Sequence, residues 1–301
     1  MAPAEDDISI EEKRVYAGTA GRTDAYVATE SGVVRVALSA DKVGAFDMVA
    51  REPARDVAVL ARDDGPDLVG IATADGLHVA VVGDDPEFEP ADPAGSKPLV
   101  AVGVYDDAFL AARDDGEISR IEVGNGVADP EAISIGTVSQ PRAIDGPLVA
   151  AVDGVYQISG SDSANESDTL TSVGLDDARD VAGAGMPLAA TAAGVYWLGN
   201  GWMTALEGDA TAAAADGDGH AMAVVDGDLV VHESDVDGWD TETWTAADLP
   251  VDEEPVALGY GPGVSVAVTD AGTLCVDAGD GWRHQVVGVR GVAGVALAVV
   301  E

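Results

Sequence analysis

The sequence predicts an all-β protein: a single β-propeller of four-stranded blades, seven by count with six or eight left open, closed by pairing of N- and C-terminal strands. Three observations carry this. A phrase of small apolar residues, a polar turn with glycine and an alternating strand recurs seven times, as in Tyr26-Val-Ala-Thr-Glu-Ser-Gly32-Val-Val-Arg-Val and Val69-Gly-Ile-Ala-Thr-Ala-Asp-Gly76-Leu-His-Val. The glycines (Gly32, Gly76, Gly116, Gly154, Gly194, Gly227 and Gly272) stand 44, 40, 38, 40, 33 and 45 residues apart, which is the length of a propeller blade. Finally, 47% of residues are apolar but only 5% aromatic, so Val, Ala and Leu must build thin, closely stacked sheets.

The elements follow in order. Residues 1–12 read as an acidic tail and 13–301 as the propeller. The first unit opens with Arg14-Val-Tyr-Ala and Tyr26-Val-Ala-Thr. In the second unit, 56–61 reads as the inner strand, 68–73 as the next and 77–82 as the third, joined by Asp/Gly hairpin turns. Its fourth strand is obscured by a proline-rich loop after Asp84. Elsewhere the outer strand is legible at 43–49, 132–136, 168–174, 202–206, 243–245 and 282–287. The segment from Arg290 resembles the start of the fifth unit, Arg179-Asp-Val-Ala-Gly, so the chain ends inside a further unit. A closed propeller hides its last sheet edge by sharing one blade between the termini. The sequence leaves open whether 14–18 or 292–300 is innermost.

The charge balance is extreme. There are 55 acidic against 15 basic residues, a net charge of −40, with 38 Asp, 17 Glu and only three lysines, Lys13, Lys42 and Lys97. The acid is spread through every repeat, and apolar strands persist throughout, which argues against disorder. Such surfaces suit molar salt, where repulsion is screened to within ~3 Å. The expectation is a halophile with a salt-filled cytoplasm, a cytoplasmic protein, and folding that needs high KCl. A phosphate-binding basic face is missing from the linear sequence, so no nucleic acid is expected. The N-terminus reads as lacking a leader, and the longest apolar run, 292–300, is too short to span a bilayer. Cys275 stands alone and reads as a buried strand residue.

The opening Ile10-Glu-Glu-Lys-Arg-Val-Tyr, with the Tyr26 phrase, resembles a family of uncharacterised haloarchaeal β-propeller proteins over the whole chain. The resemblance implies a propeller fold and a salt-adapted cytoplasm, and transfers no site. WD-repeat spacing is missing, and Ser234-Asp-Val-Asp-Gly-Trp only approaches a sialidase-type Asp-box.

One constellation stands out as a candidate site. Arginine recurs just before the inner strand, as Arg14, Arg55, Arg142, Arg179 and Arg290, five of the chain's twelve arginines. If these ring one mouth of the central channel, they could bind a phosphate or carboxylate. The competing and favoured reading is structural, each pairing with an aspartate of the neighbouring blade, such as Asp56 or Asp180. His78, His220, His232 and His284 lack zinc-ligand spacing, although His220 and His232 flank one hairpin near Asp216. Asp216-Gly-Asp218-Gly and Asp235-Val-Asp237-Gly read as solvated turns rather than calcium loops. Trp239 and Trp244 read as blade packing, or as a contact patch. Catalytic residues, cofactors and metals are not predicted. The overall reading is a non-enzymatic binding or scaffold module with a protein partner or a small anionic ligand. The alternative is an enzyme or sensor taking an anionic metabolite at the arginine mouth.

Overall fold

The computed structural model describes residues 22–300, apart from 41, 64, 94, 96, 125–129, 161–167 and 234–237. The boundary expected between residues 12 and 13, and Arg14 with its strand, lie outside the described residues. Seven four-stranded antiparallel sheets form the seven blades of a propeller. Six take their strands in sequence order; the remaining one is blade 1, where Val292–Val300 pairs with Arg22–Thr29, followed by Gly32–Ser39 and Lys42–Ala50. The C-terminal strand is thus innermost, in register from Arg22 opposite Val300 to Thr29 opposite Val292. In blades 2 to 7 the inner strands are Ala54–Leu60, Leu99–Tyr105, Pro141–Asp145, Ala178–Ala182, Ala210–Ala215 and Pro255–Gly261.

The recurrent phrase is a hairpin with its own lock. Thr29 Oγ1 donates to the Gly32 carbonyl at 2.8 Å and accepts from the Ser31 N–H at 3.2 Å. Thr73 with Gly76 and Asp75, and Thr191 with Gly194 and Ala193, repeat both bonds. A threonine hydroxyl here does what a backbone turn would do. Glycine is required at position 32, where φ is +132° and a Cβ would collide with the Ala50 carbonyl.

The second strand of each blade is the most buried, as in Leu68–Thr73 and Ala108–Arg113, where every residue is enclosed. The core is divided rather than central. One apolar cluster sits at each of the seven blade interfaces, for example Leu68, Leu77 and Val79 against Leu99, Phe109 and Ile121 between blades 2 and 3. Small residues allow this close stacking: a Cβ on Gly70 would come within 2.6 Å of the Phe109 ring. Cys275 lies buried between blades 6 and 7.

The outer strands fall where the alternation places them, within a residue or two. Blade 2 is the exception, with only Glu89–Pro90, since the prolines of its loop cannot donate to a ladder. A charge pair anchors this loop instead. Asp92 accepts from both terminal nitrogens of Arg113 at 2.9 Å, and Arg113 is completely buried, with Glu117 3.3 Å from its Nε. Replacing Asp92 by Ala leaves the guanidinium enclosed with one weaker partner. The expected loss is about 3 kcal/mol, read from denaturant melts in molar KCl.

Candidate functional site: the central channel

The channel is built from one feature repeated in every inner strand. After the first paired residue, one residue is skipped before pairing resumes, a β-bulge at the same place in all seven blades. A bulge bends the strand and re-aims the extra side chain. The skipped residue is Arg55, Arg142 and Arg179 in blades 2, 4 and 5. In blades 3, 6, 7 and 1 it is Val100, Thr211, Val256 and Ala293. The arginines therefore lie inside the strand, as its second residue, and all three line a channel cavity of about 440 Å³. Arg290 is exposed and precedes Val292–Val300; the equivalent position in that strand is Ala293. The sequence match to Arg179 was three residues out of register. The structure brings together Arg55, Arg142 and Arg179, an arc rather than a ring.

Each of these arginines reaches to the next blade. Arg55, Arg142 and Arg179 donate from Nη1 to the carbonyls of Leu99, Ala178 and Ala210, at 3.0, 3.1 and 3.2 Å. Those are the first residues of the next inner strands. Arg142 also pairs with Asp177 at 2.8 Å and Arg179 with Asp209 at 2.7 Å. The carboxylate partners belong to turns just before the next strand, not to Asp56 or Asp180.

Asp56 and Asp180 do a different job, one residue further on. Asp56 accepts from the N–H of Val57 at 2.8 Å and, across the interface, from that of Val102 at 2.9 Å. Asp180 repeats this with Val181 and Ala213, both at 2.9 Å. Asp145 in blade 4 accepts from Gly183 at 2.7 Å. All three line the channel. Enclosure by the seven strands pushes the Asp56 and Asp180 carboxyls up to about 7, against the pull of their backbone N–H partners. Desolvation raises the Asp145 carboxyl as well, and its charge adds to the upward push on Asp56 and Asp180. Sequence reasoning treated Asp56 and Asp180 only as partners for arginine and passed over Asp145. The signal was present: Arg-Asp-Val-Ala occurs whole at 55–58 and 179–182.

The other candidates serve the scaffold. His232 is buried, with its ring nitrogens 3.0 and 2.8 Å from the carbonyls of Gly219 and Gly238. It stacks on Trp239 at 4.1 Å, and Trp244 meets both rings edge-on. His220 Nδ1 lies 2.6 Å from Asp216, whose other oxygen accepts from the N–H groups of Asp218 and His220 in a tight turn. Asp235 and Asp237 lie outside the described residues. His78 sits 3.3 Å from Thr73 Oγ1, and His284 is exposed on the outer strand of blade 7. Burial raises the Cys275 thiol to about 11. Among the described residues no group of three or more His, Cys, Asp or Glu is placed to hold a metal ion, and no helix is long and apolar enough to cross a membrane.

The raised carboxyls set a pH dependence. Unfolded, Asp56 and Asp180 titrate near 3.9; folded, near 7. Between those values the native state holds more protons, so stability falls as pH rises through the window, by up to about 1.4 kcal/mol per unit for each group. Thermal melts across this range should show that slope, and the Asp56→Asn/Asp180→Asn variant should flatten it.

Comparison with known proteins agrees with the geometry. The model of a family described as Beta-prop_HVO_0234-like, beta propeller, matches residues 9–298. Among curated proteins none matches. Solved structures with the same fold include apo AztD from Citrobacter koseri, at 13% identity and a TM-score of 0.52, covering 91% of this chain and 84% of that one. YCF48 bound to a D1 peptide gives 13% and 0.57, covering 83% and 95%. The computationally designed Ika8 protein gives 14% and 0.55, covering 91% of each chain. At such identities the likeness is one of fold. With a family match running almost from end to end, this chain belongs to the Beta-prop_HVO_0234-like β-propeller family.

Proposed function

We propose that the protein is a non-enzymatic binding module that holds a small charged ligand in its central channel. One observation carries this reading. The cavity of about 440 Å³ is lined by Arg55, Asp56 and Asp180, and the hydrogen bonds of all three go to backbone groups. None of the three has an oppositely charged side-chain partner among the described residues, and Asp56 and Asp180 are half-buried, where a charge calls for a partner. An apolar cluster fills each blade interface, and between blades 2 and 3, 4 and 5, and 5 and 6 side chains also latch the backbone, as suits a scaffold that binds without rearranging.

Two other readings each have an observation behind them. Carboxyls near pH 7 suit general acid–base chemistry, which favours the enzyme alternative at the arginine mouth. A protein partner is favoured by Phe46 and Met48, 41% and 43% exposed on the outer strand of blade 1. YCF48 was solved with a peptide, and another propeller of this fold, at a TM-score of 0.50, in a nidogen–laminin complex.

The working environment is the cytoplasm of a salt-accumulating cell, a reading supported by the net charge of −40. Folding should depend on it. Lowering KCl from molar to decimolar should drop the melting temperature steeply, because the Debye length grows from about 3 to about 10 Å. The binding reading is tested by thermal shift in molar KCl with acetate, phosphate, methylammonium and amino acids. At least one should raise the melting temperature, and Arg55→Gln should remove at least half of that shift. No shift with any probe, or a shift with a carboxylate-bearing probe that the variant leaves unchanged, would overturn it.

A further inference from the structure

We propose that the channel ligand is a small zwitterion, its ammonium seated between Asp56 and Asp180 and its carboxylate turned to Arg55 at the mouth. This rests on the reading of the channel as a binding site and names what that site selects.

The argument starts from order along the strand. The seven inner strands run in one direction through the channel, so position in the strand is depth in the lumen. The arginine layer comes first, at the skipped residue, and the aspartate layer lies one residue deeper. Blades 2 and 5 stand three apart in a ring of seven, which puts Asp56 and Asp180 on opposite sides of the lumen. Each carboxylate accepts two backbone N–H bonds and none from a side-chain cation. A carboxylate has about four acceptor positions, so each keeps room for a donor from the lumen.

The arginines are not equivalent. Arg142 and Arg179 are neutralised by Asp177 and Asp209. Arg55 has no carboxylate partner among the described residues; it donates one hydrogen bond, to the Leu99 carbonyl, leaving four N–H donors. Among the described residues that line the cavity, the one cation without a carboxylate partner thus adjoins an uncompensated anion just below it. Gly294 in the closing strand keeps that corner open, since a Cβ there would lie 2.7 Å from Asp56 Oδ1.

This pattern sorts ligands by charge. A simple anion would bond Arg55 but face the aspartate layer. A simple cation would meet the aspartates but would have the Arg55 guanidinium beside it. An amino acid satisfies both layers at once, through a bidentate guanidinium–carboxylate contact and ammonium hydrogen bonds. The cavity is ample for such a molecule. An ammonium between the two aspartates would also favour their ionised form, so binding near pH 7 releases protons.

The test is calorimetry and thermal shift in molar KCl with glycine, β-alanine and γ-aminobutyrate as zwitterions, acetate as the anion half and methylammonium as the cation half. At least one zwitterion should bind at least tenfold more tightly than either half. Its binding heat should change between buffers of different ionisation enthalpy, reporting proton release. Asp56→Asn/Asp180→Asn should lose both the binding and the proton signal, and Arg55→Gln should weaken binding at least tenfold. Each variant is compared with its own ligand-free melt, so a change in baseline stability does not confound the result. If acetate or methylammonium alone binds as tightly as the zwitterions, the zwitterion assignment fails while the channel remains a binding site. If no probe of any charge binds, both fail.

Discussion

The structure turns on one constraint: seven inner strands converge on a channel, and each has an edge with no strand to pair with. Those edge N–H and C=O groups must be satisfied away from bulk water. The Arg-Asp pair meets the need with two side chains. The bulge turns Arg55 and Arg179 to a carbonyl at the start of the next inner strand. The following aspartate takes an N–H three residues further along that same strand, Val102 or Ala213. Blade 4 divides the task between Arg142 and Asp145, which reach Ala178 and Gly183.

The rest of the fold accommodates this arrangement. Apolar clusters at the interfaces press the blades together but do not by themselves set which backbone groups meet at the centre. Where Asp56 faces the closing strand, the residue equivalent to an aspartate is Gly294. Latching the backbone with ionised side chains has a chemical consequence. Because the bonds of Asp56 and Asp180 go to uncharged groups, their negative charge stays in the lumen. A scaffold device thereby leaves the channel polar and electrically uneven.

Much of the architecture was legible from glycine spacing, because Gly32, Gly76 and Gly194 answer to a steric demand that no other residue meets. Closure was half legible. The overrun after Arg290 showed a shared blade, but alternation alone could not order its strands. Register at the bulge was hidden, because a skipped residue breaks the period of two on which strand reading depends. That is why Arg290 looked equivalent to Arg179 when Ala293 is. The blade 2 loop was legible as proline-rich, but its anchor was not, since Asp92 and Arg113 lie 21 residues apart. The site was legible in its cations only. Three arginines are conspicuous where positive charge is rare; three aspartates among 38 are not.

The central claim is that Asp56 and Asp180 stand in the channel as carboxyls without a cation partner. Carbon-13 NMR of the aspartate side chains, titrated in molar KCl without added ligand and assigned with the Asp56→Asn and Asp180→Asn variants, tests this directly. The account predicts two carboxyls titrating near 7, well apart from the bulk of the aspartates. Titration of both near 4 would contradict it, showing that these groups are compensated or open to bulk water.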